Sequence, residues 1–144
     1  MKTAQIYFEE VKEGVDIPSL LKRPSTRQLV MWAGVTEEFS EVHYDKDFAQ
    51  SRGFKSVIVQ GGMLLSFIVQ MLTDWIGEEG FLKRLEAAHR AVHYAGEDIV
   101  CKGSVVRKYE KNGEHILECS VWTENAEMHK TTLGTALVSL PKKA

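Results

Sequence analysis

The chain has 144 residues, with 18 Lys and Arg against 20 Asp and Glu and a formal net charge of −2. That length predicts one domain, 1–144, able to bury about two thirds of its unfolded surface without a metal or disulfide staple. A composition of 44% hydrophobic and 26% charged residues excludes a disordered chain, and the near-neutral charge excludes the basic footprint of a nucleic-acid binder.

The two cysteines, Cys101 and Cys119, lie far apart. They make neither a disulfide framework nor a CxxC zinc site, and read as small buried hydrophobes on strands. The start, Met1 to Gln5, has no apolar signal core behind it. The longest apolar stretch, 63–76, is broken by Ser66, Gln70, Thr73 and Asp74 and is shorter than the about 20 residues a bilayer needs. A soluble, cytoplasmic protein is expected, with no nucleic-acid or membrane partner.

Residues 5–11 suggest a short opening strand, and Gly14 and Pro18 punctuate the chain after it. At Pro24-Ser25-Thr26-Arg27-Gln28 a helix starts, with Ser25 or Thr26 as cap and Gln28 three positions after Ser25, the spacing of a capping box. It runs through Leu29 to Ala33, and Gly34 is the expected stop. Residues 35–45 lack a period and are crowded with ionisable and hydroxyl groups. A short helix is expected at 46–52, ending at Gly53, and an apolar run at 56–60 ends in Gly61-Gly62.

The strongest element is a helix over 63–76, closed by Gly77 and apolar on nearly every face, so it should be buried. After residue 80 the pattern changes to long strands at 83–94, 98–109, 114–124 and 128–140. Asn112-Gly113 is a hairpin turn signal between two of them. Leu117, Cys119 and Val121 alternate with Glu118 and Ser120, so the sheet must bury one face. Early helices and late antiparallel strands give an α+β class, with the sheet wrapped around the apolar helix.

Five histidines are present. His89, His93, His115 and His129 fall in the strand region as solvated or packed residues. Glu does not follow His89, so the zinc-protease motif is absent and no metal site is expected. His43 differs, because it lies outside any periodic element, with Glu38 five residues and Glu41 two residues before it. A carboxylate beside an imidazole can hold a water and move its proton, although a surface loop with scattered charges has the same local sequence. Gln60-Gly61-Gly62 precedes the buried helix, where backbone amides at a helix start are unpaired donors and glycine admits a ligand. Such a site suits an oxyanion or a polarised carbonyl; a plain turn into the helix is the alternative.

Thr36 through Asp45, then Phe48-Ala49, Gly53-Phe54 and Val57 through Leu64, resemble the MaoC-like family of R-specific enoyl-CoA hydratases and acyl dehydratases. The resemblance implies a single hot-dog domain. The family motif runs roughly Gly-Asp-x-Asn-Pro-x-His; here Glu37, Glu38, Ser40 and Glu41 stand for its Gly, Asp, Asn and Pro, and His43 is its His. Gly61 stands where many members have His, before Gly62-Met63-Leu64.

By this resemblance Glu38 and His43 are the catalytic pair of a reversible 2-enoyl thioester hydration. Gly61, Gly62 and Met63 bind the thioester oxygen, with Ser40, Glu41 and Gln60 in support. It implies no metal and no cofactor beyond the coenzyme A of the substrate, or an acyl carrier protein in its place. The implied partner is a second hot-dog subunit, as a homodimer or heteromer. A non-catalytic subunit that binds acyl thioesters and an acyl-CoA thioesterase are the alternatives on the same fold.

Overall fold

The computed structural model describes residues 4–144, so Met1 to Thr3, part of the start read for a leader, lie outside the described residues. Five strands, β1 (Asp16–Lys22), β2 (Phe81–His89), β3 (Ile99–Lys111), β4 (Glu114–Glu124) and β5 (Lys130–Ser139), form one sheet in the order β1-β3-β4-β5-β2. Every neighbouring pair is antiparallel. Among the described residues there are three α-helices, α1 (Thr26–Thr36), α2 (Lys46–Ser51) and α3 (Gly61–Ile76), and two short 3₁₀ turns.

The β3–β4 hairpin turns at Asn112 (φ 53°) and Gly113 (φ 79°). Both are in the left-handed region, as a two-residue type I′ turn requires. The register then pairs Lys111 with Glu114 and Val105 with Cys119, which sets Cys101, Val105, Cys119 and Val121 in the core. Both cysteines are fully buried, and that burial pushes each thiol up to about 12. They stay protonated and pack as hydrophobes.

α3 crosses the same face of the sheet and touches β1, β2, β3 and β4. Its Ile68, Met71, Leu72 and Ile76 meet Ile17, Leu117, Ala136 and Val138 in the main core. Gln70, Thr73 and Asp74 of its polar stripe face outward. A sheet around a central helix is therefore the architecture, as the alternation on β4 and the apolar helix imply. Among the described residues no helix is long and apolar enough to cross a membrane.

Four sequence expectations are corrected. Residues 5–11 are not a strand. Phe8–Glu10 makes a single 3₁₀ turn whose Phe8 and Val11 are buried against the sheet. The first strand is β1, which runs through Pro18, because β1 is a sheet edge and the register shifts between Ile17 and Leu20. Proline is accommodated at such an edge bulge, where its missing N–H breaks no ladder. α1 does not stop at Gly34; it continues to Thr36, and the left-handed cap is Glu37 (φ 58°). α3 starts at Gly61, two residues early, with Gln60 as its N-cap.

The fourth correction concerns 83–94. β2 ends at His89, after which Arg90 and Ala91 both donate to the carbonyl of Thr131. The chain then leaves the sheet and stitches to the apolar run before α3: Val59 N–H donates to His93 O (2.8 Å) and Ala95 N–H to Val57 O (3.2 Å). This run forms a second core with Leu29, Met63, Leu64 and Ile99, and it carries the candidate site.

Candidate active site

Ser25 caps α1 with the expected capping box: its Oγ accepts from Gln28 N–H (3.3 Å), and Ser25 N–H donates to Gln28 Oε1 (2.8 Å). At the other end, the left-handed Glu37 turns the chain out of the helix. The next loop is held by Tyr44 OH donating to Phe39 O (2.8 Å). A 3₁₀ turn, Glu41–His43, then carries the histidine inward, and Asp45 caps α2 by accepting from Phe48 N–H (3.0 Å).

His43 is buried, and a backbone carbonyl fixes its ring. Nδ1 lies 2.7 Å from Ile58 O. A carbonyl only accepts, so Nδ1 carries the proton and, in the neutral ring, Nε2 carries the lone pair. Nε2 faces Glu38 Oε1 at 3.4 Å. The His43 side chain is 9% exposed and that of Glu38 is 45% exposed. A buried imidazole with its lone pair outward, next to a carboxylate that reaches solvent, can receive a proton from a water that contacts both groups.

The other anticipated residues divide into two groups. Glu41 is exposed, and the carboxylate paired with His43 is that of Glu38. Ser40 contributes its backbone, accepting from His43 N–H (3.1 Å), with no side-chain cap bond. Gln60 is fully buried and donates from Nε2 to Leu29 O (2.9 Å), tying α1 to the start of α3, while its Oε1 has no partner among the described residues.

Ile58 binds His43 through its carbonyl and Val42 through its N–H (3.0 Å). Three residues later α3 begins, so the histidine and the helix start are set by one short run of chain. The first helical bond is Leu64 N–H to Gln60 O (3.2 Å). The N–H groups of Gly61, Gly62 and Met63 therefore precede the ladder, at the positive end of the helix.

The sequence assigns the two glycines to ligand approach. The structure adds a second reason for them, because protein side chains fill the space above both. A Cβ on Gly61 would stand 2.9 Å from His89 Nε2, and one on Gly62 would stand 3.2 Å from Trp32 Cζ2. His89 also pairs through Nδ1 with the buried Thr132 Oγ1 (3.0 Å). His93 lies deeper, with Nε2 2.5 Å from Thr131 Oγ1 and Nδ1 without a partner among the described residues. Burial, aided by nearby His89, lowers its pKa to about 4. No local signal marks Trp32 or His89, because each reaches α3 from another element. Among the described residues, no group of three or more His, Cys, Asp or Glu is arranged to hold a metal ion.

The family model of the MaoC like domain matches residues 9–126. The chain belongs to the MaoC-like family. An (R)-specific enoyl-CoA hydratase of Rhodospirillum rubrum is 35% identical over 66 residues, which is 46% of this MaoC-like chain and 45% of the relative. The match thus spans less than half of that relative's length. A Mycobacterium tuberculosis protein named 3-oxo-4,17-pregnadiene-20-carboxyl-CoA hydratase beta subunit is 26% identical over 92 residues, covering 64% of this chain and 71% of the relative. The fold is that of the (R)-hydratase PhaJ1 of Pseudomonas aeruginosa, with a TM-score of 0.86 at 20% identity over 96% of this chain and 88% of that one. The single hot-dog domain with a five-stranded sheet around α3 agrees with this likeness.

Proposed function

We propose that this MaoC-like protein hydrates a 2-enoyl thioester reversibly to a 3-hydroxyacyl thioester, with coenzyme A as the thioester carrier. The observation that carries this proposal is the ring of His43, fixed by Ile58 O with its Nε2 turned toward Glu38 at 3.4 Å. Membership of a family whose relatives include named enoyl-CoA hydratases supports it.

In the hydration direction, Glu38 and His43 hold one water. His43 Nε2 takes a proton as the water oxygen bonds to C3. The C2–C3 π electrons move toward the thioester, whose oxygen gains charge. The N–H groups of Gly62 and Met63 hold that oxygen, and each such donor is worth about 3 kcal/mol in comparable sites. The proton on His43 then passes to C2. One water is consumed, its hydroxyl ends on C3 and its proton on C2, and the dyad returns to its starting state. Both additions come from one side of the alkene, so the product is the syn adduct.

A second hot-dog subunit, the same chain or another, belongs to the proposal. β2 is an edge strand with one side unpaired, and its Phe81 is 66% exposed. An open edge of this kind is stabilised by pairing. The Mycobacterium tuberculosis relative is itself named as one subunit of a hydratase.

That name, together with Glu38 in place of the family's Asp, favours a second assignment as a thioester-binding subunit that needs a catalytic partner. The test is loss of enoyl-thioester absorbance with crotonyl-CoA and trans-2-octenoyl-CoA, with product stereochemistry by chiral chromatography and assembly size by light scattering. Turnover by the purified chain, abolished in His43→Ala, is the expected result. No turnover on either substrate would overturn self-sufficient hydration and favour the subunit role. Release of free thiol would indicate a thioesterase.

A further inference from the structure

His89 is the last residue of β2, and its ring lies against the first residue of α3. Nε2 is 2.9 Å, and Cδ2 3.1 Å, from the point where a Cβ at Gly61 would stand. The residue is exposed, and Nε2 has no hydrogen-bond partner among the described residues. Hydration by Glu38 and His43 alone makes no use of this imidazole.

The far side of the ring decides where its proton sits. Nδ1 is 3.0 Å from Thr132 Oγ1, and the two residues are register partners on β2 and β5. Thr132 is fully buried, and among the described residues Nδ1 is the one group at hydrogen-bonding distance from its hydroxyl. A buried hydroxyl places its proton on an acceptor. Thr132 therefore donates to Nδ1, and the neutral ring carries its own proton on Nε2. The nitrogen nearest Gly61 is a donor.

That donor stands beside others. The N–H groups of Gly61, Gly62 and Met63 precede the helical ladder, at the positive end of the α3 dipole. A side-chain donor from β2 and backbone donors from α3 thus lie side by side. The ligand such a set binds is an oxygen that carries partial negative charge.

We propose that His89 is a further catalytic residue, whose Nε2–H donates to the thioester oxygen beside the N–H groups of Gly62 and Met63. The inference rests on the thioester substrate of the proposed hydration. The proton stays on Nε2 throughout, so the balance of the reaction is unchanged. The bond strengthens as the oxygen gains charge, so its effect falls on kcat more than on substrate binding. Thr132 is a positioning residue that sets the orientation and the tautomer of the ring.

The test compares the whole wild-type chain with His89→Ala and Thr132→Val. Octanoyl-CoA labelled with carbon-13 at the carbonyl is a saturated thioester that cannot be hydrated, and its carbonyl resonance reports hydrogen bonding to the thioester oxygen. On wild type that resonance should move downfield, and His89→Ala should lose about a third of the displacement, one donor of three. Proton–nitrogen-15 correlation spectra should show the His89 proton on Nε2 in wild type and a mixture of tautomers in Thr132→Val. On trans-2-octenoyl-CoA, His89→Ala should lower kcat by about 10²-fold and change KM by less than about threefold. An unmoved carbonyl resonance on wild type, an equal displacement in His89→Ala, or a proton found on Nδ1 would overturn the inference. Turnover that requires His43 yet changes by less than about twofold in His89→Ala would overturn it while leaving hydration in place. A carbonyl displacement that depends on His89, without turnover, would support the contact and overturn the hydratase assignment.

Discussion

The imidazole of His89 lies over Gly61, with Nε2 2.9 Å from the point where a Cβ at residue 61 would stand. This contact explains why the first residue of α3 is glycine even though alanine is the better helix former. An alanine there would push the ring away and break its 3.0 Å contact with Thr132 Oγ1. Thr132 is fully buried, so its hydroxyl would lose that partner. Gly61→Ala should therefore destabilise the protein by about 1 kcal/mol. In a His89→Ala background the same change should become neutral or slightly stabilising. Urea unfolding of the four proteins gives the coupling energy; additivity within about 0.3 kcal/mol would show that the contact carries none.

His93 gives stability a pH dependence whose sign follows from its burial. Its pKa lies near 4 in the folded protein, against about 6.5 in the unfolded chain. Below pH 6.5 the unfolded state takes up a proton that the folded state refuses. Stability from this group is full above 6.5 and falls as the pH drops toward 4. At pH 5 the loss is about 2 kcal/mol relative to pH 7.5. His93→Gln, which cannot titrate, should lower stability at pH 7.5 and flatten the slope between 7.5 and 5 by that amount. Parallel slopes in wild type and variant would exclude His93 as the source.

Elements specified by neighbouring residues were legible in the sequence, and those specified by distant contacts were not. Asn112-Gly113 and the Ser25–Gln28 capping box are local, and both form as expected. The residues beside His43 left Glu38 and Glu41 both open, the resemblance implied Glu38, and Glu38 is the carboxylate that faces the ring. Gly34 misled because glycine is tolerated inside a helix when the left-handed position lies farther on. Pro18 misled because only the sheet order reveals that β1 is an edge. Residues 5–11 suggested a strand, yet Phe8 and Val11 are buried by a 3₁₀ turn against the sheet. His89 and Trp32 reach the start of α3 from β2 and α1, and no local pattern records that meeting.

Glu37 occupies the left-handed cap of α1 at φ 58°. A non-glycine residue there carries a conformational cost that glycine does not, which gives a physical reason for the glycine of the family motif at this place. Glu37→Gly should raise stability by about 0.5–1 kcal/mol, the relief of strain exceeding the added entropy of the unfolded chain. Chemical denaturation measures it. A loss of stability would mean that the glutamate side chain makes a compensating interaction.

The pairing of Glu38 with His43 allows the two nearby carboxylates to be separated by mutation. Glu38→Gln keeps the shape and removes the charge beside Nε2, so kcat should fall by about 10²-fold or more. Glu38→Asp retracts the carboxylate by about one bond length from a ring that Ile58 O holds in place, and a shift of that size costs up to about 10²-fold. Glu41→Gln should change kcat by less than about twofold, because Glu41 is exposed and does not pair with His43. Rates on octenoyl-CoA for the three variants decide the matter. If Glu41→Gln proved as damaging as Glu38→Gln, the loop would have to rearrange around substrate and bring the second carboxylate to the ring. If Glu38→Asp were fully active, the loop would have to move inward by the length of the missing methylene.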